Sequence, residues 1–282
     1  MKKLSLCCLL LLSASLGVLA KGGRLVTDSL SSAIMGKAVK FNIYLPEGYS
    51  KTGETYPCVY LLHGLKGNFA SWENQGKMRA VADDIISSGM AREMVIIMPT
   101  AGAGKYREIQ NGYFNLPDYP YEDFFFQEFL PAVEKKYNCG GRQGLRAVMG
   151  LSMGGGGSTV YCQKHPEMFS SCYAMSPSLH KDPEPDMPKD KYYLWLVSVR
   201  DNSALNFIDN ADEGTVAALK KIRWTFDCGD DDKLLYDTVE LHRKYNEKGI
   251  RNELRVRNGG HNWEYWHQAL RLALPFASVN FK

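Results

Sequence analysis

The chain has 282 residues, of which 45% are hydrophobic and 23% charged, and its formal net charge is +3. This composition is typical of an ordinary globular protein, and the length suits one large domain with an ample core. No run of lysine or arginine stands out beyond the first three residues, which argues against a nucleic-acid partner.

The first twenty residues have the pattern of a secretory signal. Two lysines precede an apolar run at 4–12, and a small residue, Ala20, stands where a signal peptidase cleaves. The apolar run is too short to span a membrane comfortably, so we expect no stable membrane span in the mature chain. The sequence therefore predicts a signal peptide at 1–20, a single domain at 21–282, and export to the periplasm or the medium.

Short apolar or alternating runs predict four strands in the first half of the chain, at 41–46, 56–62, 94–99 and 146–149. Apolar residues at helical spacing predict helices at 78–89 and 121–137. Pro131 lies inside the second of these helices, where it either starts a new segment or kinks the first.

The second half continues the alternation, with predicted strands at 170–175, 222–227 and 253–257 and predicted helices at 234–248 and 263–277. Residues 177–220 fit the pattern least, and their four prolines favour an insertion that partly covers the site, although 194–199 could form one more strand. Alternating strands and helices predict an α/β class with a mostly parallel central sheet and helices on both faces.

Gly150-Leu151-Ser152-Met153-Gly154 has the pattern of a nucleophile elbow. It follows a predicted buried strand and precedes a glycine-rich helix start. A serine hydroxyl needs an uncrowded position, a nearby base and an oxyanion trap before it becomes a useful nucleophile. Small residues two positions before and after the serine relieve the steric strain of the strand-to-helix turn. The pattern predicts Ser152 as a nucleophile.

A base and an acid follow in the order that this chemistry requires. His261 comes after the 253–257 strand, behind two glycines and before Trp263, and it is the predicted base. The 222–227 strand leads to Asp230-Asp231-Asp232, any of which could orient the histidine or simply cap the next helix. The residues alone leave that choice open.

The oxyanion donors are predicted from the same two turns. The backbone N–H of Met153 follows the nucleophile and is the first donor. The second is the N–H of Leu65, because Gly64 allows a tight turn after the 56–62 strand. His63 is expected to brace this loop with its side chain rather than to take part in the reaction.

These motifs together resemble the esterase-D and feruloyl-esterase branch of the α/β-hydrolases, the group around carbohydrate esterase family 1. The resemblance covers nearly the whole mature chain. It rests on the following segments: Tyr44-Leu45-Pro46-Glu47-Gly48-Tyr49, Tyr60-Leu61-Leu62-His63-Gly64 with Trp72 downstream, the elbow, Met175-Ser176-Pro177 where the family often has a Ser-Gly pair, Cys228-Gly229-Asp230-Asp231-Asp232, and Gly260-His261-Asn262-Trp263-Glu264-Tyr265-Trp266.

The resemblance implies Asp232 as the acid, since the family's aspartate stands third after the glycine; Lys233 departs from the apolar residue that is common after it. It also implies an α/β-hydrolase fold and a serine esterase that needs no metal or organic cofactor. Aromatic side chains that would line an acyl pocket include Trp72, Tyr113, Phe114 and Trp266, with ordinary packing as the alternative for each.

We therefore expect an exported serine ester hydrolase that works through an acyl-enzyme and releases feruloyl or acetyl groups from plant polysaccharides of the xylan type. Its expected partner is an ester substrate of the acylated-carbohydrate class. Rival interpretations are an acyltransferase or a siderophore esterase on the same fold, and a catalytically silent carbohydrate-binding relative. Five cysteines lie outside the signal, several of them in apparent core strands, and we expect them to be buried free thiols. One disulfide bridge among them is the alternative.

Overall fold

A computed structural model describes residues 22–102 and 110–282, so the predicted signal peptide lies outside the described residues. Eight strands form one sheet in the order β1-β2-β4-β3-β7-β8-β9-β10, and a short hairpin, β5-β6, stands apart. The strands are β1 (Arg24–Ser32), β2 (Lys37–Leu45), β3 (Cys58–Leu62), β4 (Val95–Met98), β5 (Asn115–Leu116), β6 (Tyr119–Pro120), β7 (Arg146–Leu151), β8 (Ser171–Met175), β9 (Arg223–Gly229) and β10 (Asn252–Arg257).

The sheet is antiparallel only where β2 pairs with β1 and β4, and its other neighbours are parallel. Parallel strands end at a common edge, which brings the loops after β3, β7, β9 and β10 together. This arrangement confirms the predicted mostly parallel α/β sheet.

Ten α-helices connect the strands within the described residues: α1 (Ser71–Asn74), α2 (Met78–Ser87), α3 (Tyr121–Asp123), α4 (Leu130–Tyr137), α5 (Met153–Lys164), α6 (Lys191–Asp201), α7 (Ala204–Asp209), α8 (Glu213–Leu219), α9 (Leu235–Glu247) and α10 (Trp263–Ser278). A π-helical turn, Phe124–Phe129, joins α3 to α4. Residues 121–137 are thus helical throughout, and Pro131 is the second residue of α4, directly after the π-helical turn.

Side chains of β3 show how the sheet separates two hydrophobic cores. Tyr60 and Leu62 point into one core, and Val59 and Leu61 point into the other. Successive side chains of a strand face opposite sides, so a strand that is apolar throughout must be covered on both faces. Helices α2 and α10 cover one face, while α4, α5 and α9 cover the other.

The insertion at 177–220 holds α6, α7 and α8. The alternative prediction of a strand at 194–199 is wrong, because these residues lie in α6. Asp190 accepts hydrogen bonds from the N–H groups of Tyr192 (3.0 Å) and Tyr193 (3.1 Å), and this cap starts the helix despite side chains that favour strands.

The eight-stranded sheet contains one strand that the sequence pattern did not predict, β1, which is largely polar and pairs only with β2; the β5-β6 hairpin was not predicted either. All five cysteines among the described residues are free and buried, as expected of small apolar side chains. In the part of the chain that the structure describes, no helix has the length and apolar character needed to cross a membrane.

Candidate active site

Ser152 occupies the turn between β7 and α5 in an unusual backbone conformation, with φ 54° and ψ −116°. A positive φ is costly for a residue with a Cβ and persists only when its surroundings fix it. Here the Ser152 N–H donates to the Met175 carbonyl at 2.9 Å, and the Ser152 carbonyl accepts from the N–H groups of Gly156 (3.0 Å) and Ser178 (2.9 Å). These bonds hold the serine at the carboxyl edge of the sheet.

The two glycines of the elbow are required by close approach of backbone atoms. A Cβ on Gly150 would lie 2.5 Å from the Gly154 carbonyl oxygen, and a Cβ on Gly154 would lie 2.5 Å from the Leu62 carbonyl oxygen. Neither backbone oxygen can move aside as a flexible side chain would. The elbow therefore packs directly against the end of β3, which sets the distance between Ser152 and the loop that follows β3.

His261 stands between Ser152 and Asp232. Its Nε2 lies 2.9 Å from Ser152 Oγ, and its Nδ1 lies 2.8 Å from an Asp232 carboxylate oxygen. The indole of Trp266 packs against the imidazole at right angles, with ring centroids 4.8 Å apart. The structure thus brings three predicted residues into one hydrogen-bonded line that is suited to general-base activation of a hydroxyl.

The carboxylate of Asp232 is buried and held in its charged form. Its second oxygen accepts the Leu234 N–H at 2.9 Å. Burial raises the pKa of this carboxyl, but hydrogen bonds from His261, the Leu234 N–H and Ser176 lower the pKa by more than burial raises it. The net pKa therefore lies below its ordinary value. An ionised carboxylate here favours the Nδ1-protonated form of His261, which leaves Nε2 free to accept the serine proton.

The neighbouring aspartates take other positions. Asp230 is exposed and accepts the Gly259 N–H at 2.9 Å, and Asp231 is also exposed. Of the three acids that the sequence left open, only Asp232 contacts His261 in the described residues. Asp230 ties the loop after β9 to the loop after β10, which helps to hold His261 in place.

Sequence reasoning missed two supporting residues. Asp227, buried at the end of β9, accepts hydrogen bonds from Tyr173 (2.5 Å), Tyr265 and Arg257 (3.0 Å), which joins β8, β9, β10 and α10 behind the site. Ser176 accepts the Trp266 indole N–H at 3.1 Å. Asp227 was expected only as the end of a strand, and no local pattern identifies its three partners.

The two residues predicted to donate to the oxyanion, Met153 and Leu65, both line the cavity that contains Ser152. Met153 is the first residue of α5, so its N–H has no acceptor within the helix. His63 braces the loop: its Nδ1 lies 2.8 Å from the Gly64 carbonyl, and its Nε2 accepts the Ala101 N–H at 3.0 Å. Burial lowers the pKa of His63 to about 4, so the imidazole is neutral.

A cavity of about 730 Å³ opens over Ser152. Its walls come from the loops after β3, β7, β9 and β10 and from the insertion. The described residues that line it include Leu65, Lys66, Ser152, Met153, Ser178, Lys181, Tyr192, Trp195, Leu196, Lys233, His261, Trp263 and Trp266. The insertion therefore covers part of the site, as the sequence predicts.

Of the four aromatic residues predicted to contact the acyl group, only Trp266 is part of the cavity wall. Trp72 is buried, and its indole N–H donates to the Leu62 carbonyl at 3.0 Å. Tyr113 is also buried and donates its hydroxyl to the His63 carbonyl at 2.9 Å, and Phe114 packs beneath the Lys164 ammonium. These three side chains support the walls from behind, because their polar atoms satisfy backbone groups or their rings fill the core.

Within 22–102 and 110–282, no group of three or more histidine, cysteine, aspartate or glutamate side chains is arranged to hold a metal ion. The chemistry that the geometry supports is attack by a serine hydroxyl on a carbonyl carbon, assisted by an imidazole and its carboxylate partner.

The chain is similar to known proteins in both sequence and fold. The family described as "Putative esterase" matches residues 32–277. A solved structure of a ferulic acid esterase is 41% identical, covers 92% of this chain and 98% of its own, and superposes with a TM-score of 0.87.

Two curated relatives are more distant. An endo-1,4-beta-xylanase/feruloyl esterase of Xylanibacter ruminicola is 30% identical over 165 residues, which is 57% of this chain but only 22% of that longer protein. An acetyl esterase of Caldicellulosiruptor saccharolyticus is 23% identical over 240 residues, 80% of this chain and 84% of that protein.

Proposed function

Because the chain belongs to the esterase family of α/β hydrolases, we propose that it is a serine carboxylic-ester hydrolase that releases feruloyl or acetyl groups from esterified plant polysaccharide. The observation that carries the proposal is the line Ser152–His261–Asp232, with contacts of 2.9 and 2.8 Å beneath an open cavity. The relatives described as feruloyl and acetyl esterases support the choice of acyl groups.

The proposed reaction has two halves. Ser152 Oγ attacks the ester carbonyl carbon while His261 Nε2 takes the hydroxyl proton, and Asp232 stabilises the resulting imidazolium. The N–H groups of Met153 and Leu65 hold the oxyanion. When the carbon–oxygen bond to the alcohol breaks, His261 returns its proton to the leaving oxygen. A water molecule, deprotonated by the same imidazole, then attacks the acyl-enzyme and releases the acid and free Ser152.

Export is part of the proposal. Residues 1–20 have the charge, apolar run and small final residue of a signal peptide, and polysaccharide esters lie outside the cell. Sequencing the amino terminus of protein secreted by the expressing cell tests this. A mature chain that begins near residue 21 would agree, and an intact Met1 on exported protein would contradict cleavage.

Ester hydrolysis is tested by measuring turnover of methyl ferulate, acetylated xylan and a short 4-nitrophenyl ester by wild type and by Ser152→Ala. We expect loss of at least about 10⁴-fold in kcat for the variant, because the nucleophile is gone while the binding surface stays. A fluorophosphonate should label wild type on the peptide that contains Ser152 and leave the variant unlabelled. Full ester turnover by a pure, folded Ser152→Ala sample would disprove the assignment.

A further inference from the structure

The cavity wall carries charge of a single sign. Three lysines line it: Lys66 from the loop after β3, Lys181 from the insertion, and Lys233 from the loop after β9. They belong to three separate segments that meet around Ser152. No aspartate or glutamate is among the described residues that line the same cavity. Among the residues that the structure describes, the wall therefore contains three lysines and no carboxylate.

The acidic residues next to these lysines in sequence are engaged elsewhere. Asp182, which follows Lys181, lies 2.8 Å from His180 Nε2. Asp232, which precedes Lys233, is buried and bonded to His261. Across the described ranges, no carboxylate forms an ion pair with Lys181 or Lys233. Their charges are thus available to a ligand in the cavity.

The rest of the wall suits a ring-bearing ligand. Tyr192, Trp195 and Trp263 present aromatic surface to the cavity, and the rings of Tyr192 and Trp195 pack 5.2 Å apart. Ammonium groups beside apolar walls produce a focused positive potential, because field lines concentrate in a cleft of low dielectric constant. A substrate with a flat ring and a negative charge complements both features.

We propose that the cavity selects esters that carry a carboxylate close to the scissile bond, and this inference rests on the proposed ester hydrolysis. The carboxylate can belong to the alcohol side, as in an oligosaccharide with a uronic acid residue, or to the acyl side, as in a dicarboxylic acyl group. The shared chemistry is an anion held near Lys181 and Lys233 while Ser152 attacks the ester carbonyl.

Two matched substrate pairs test the inference with the full protein. One pair is a feruloylated oligosaccharide with and without a uronate, and the other is 4-nitrophenyl acetate and 4-nitrophenyl hemisuccinate. For the anionic member of at least one pair, kcat/KM should fall about tenfold at high salt or in the double variant Lys181→Gln/Lys233→Gln. The neutral member should change little. The pair that responds identifies which side of the ester carries the anion.

The control is Lys189→Gln, which removes a lysine from the insertion that does not line the cavity. It should leave both members of each pair unchanged. Equal effects of salt and of the double variant on anionic and neutral esters, or equal effects of the control, would overturn the inference.

Binding separates this inference from the proposed hydrolysis. With Ser152→Ala, calorimetry should show tighter binding of an unesterified uronate-bearing xylo-oligosaccharide than of a neutral xylo-oligosaccharide of matched size, or tighter binding of succinate than of neutral succinamide. The Lys181→Gln/Lys233→Gln changes should remove that difference. If wild type hydrolyses no ester yet this binding preference is present, the proposed function is wrong, while an anion site at Lys181 and Lys233 is supported. Equal binding of acidic and neutral ligands overturns the anion site alone.

Discussion

Two regions share the cavity but are built differently. The loops after β3, β7, β9 and β10, here called the strand-end loops, hold Ser152, Asp232 and His261 through backbone hydrogen bonds and glycine contacts. The insertion at 177–220 supplies Tyr192 and Trp195 on α6, and its helices rest mainly on side-chain packing.

The insertion meets the strand-end loops where the Ser178 N–H donates to the Ser152 carbonyl at 2.9 Å. Its helices are bonded to other elements: the Gln163 amide on α5 donates to the Ala204 carbonyl and the Trp224 indole N–H on β9 donates to the Leu219 carbonyl, both at 3.0 Å. The difference indicates that the strand-end loops and Ser178 fix the Ser152–His261–Asp232 line, while helices α6, α7 and α8 of the insertion can change without moving it. We expect substitutions in the strand-end loops to affect turnover of every ester, and substitutions in the insertion to affect the choice among esters.

The largest effect is expected from Asp232→Asn. An amide that accepts the Leu234 N–H would present its NH₂ group to His261 and favour the wrong imidazole tautomer, so kcat should fall about 10⁴-fold for all esters. Steady-state kinetics on a neutral ester measure this. Asp231→Asn is the matched control, and it should retain nearly full activity. A loss below about tenfold, or a similar loss in both variants, would contradict the role of Asp232.

The strand-end loops were predictable from sequence because their signals are local. The elbow glycines, the run that becomes β3 and the two glycines before His261 each lie within a few residues of the group that they position. Even so, the residues alone did not separate Asp230, Asp231 and Asp232. That choice depends on which side chain points at His261, and the resemblance to known esterases, rather than the spacing, indicated Asp232.

The insertion and the supporting contacts were less predictable because their causes are distant in sequence. Helix α6 contains Tyr192-Tyr193-Leu194-Trp195-Leu196-Val197, a run of side chains that favours a strand. The N-cap at Asp190 stabilises the helix instead. Tyr113 is predicted to line the acyl pocket, yet its ring turns inward because its hydroxyl donates to the His63 carbonyl. Asp227 meets Arg257 thirty residues later, so its role depends on the strand pairing of β9 with β10.

Gly154→Ala tests how firmly the sheet fixes the elbow. The new Cβ would lie 2.5 Å from the Leu62 carbonyl oxygen and 2.6 Å from that of His63, so β3 and α5 must separate. We expect the free energy of unfolding to fall by about 3 kcal/mol, with a clear loss of kcat in the variant that still folds. Denaturant unfolding and kinetics on the same sample measure both.

The control lies in the insertion. A Cβ on Gly214, in α8, would meet only Asp212 Oδ1 at 3.6 Å, so Gly214→Ala should stabilise the protein by about 0.5 kcal/mol and leave kinetics unchanged. If the two alanine variants had the same stability, the contrast between the regions would be lost.

The brace at His63 should weaken in acid. Its folded-state pKa of about 4 lies below the ordinary value of 6.5, so the unfolded chain binds more protons between these values. The contribution of His63 to the free energy of unfolding, up to about 3 kcal/mol, is complete above pH 6.5. It is lost as the pH falls through 4.

Unfolding curves of wild type and His63→Gln across this range isolate the effect. The stability advantage of wild type should narrow as the pH falls from 6.5 to 4. A gap between wild type and His63→Gln that stays constant with pH would show that His63 is not held neutral by burial.

The smallest effect is expected in the insertion itself, from Trp195→Ala. Trp195 lines the cavity without touching the Ser152–His261–Asp232 line, so its loss removes binding surface and leaves the reacting atoms in place. KM for methyl ferulate should rise about tenfold, while kcat for 4-nitrophenyl acetate stays within about twofold. Leu194→Ala, an exposed residue on the same helix, is the control. An equal fall in kcat for both esters would mean that α6 helps to hold the nucleophile, and the two regions would then act as one.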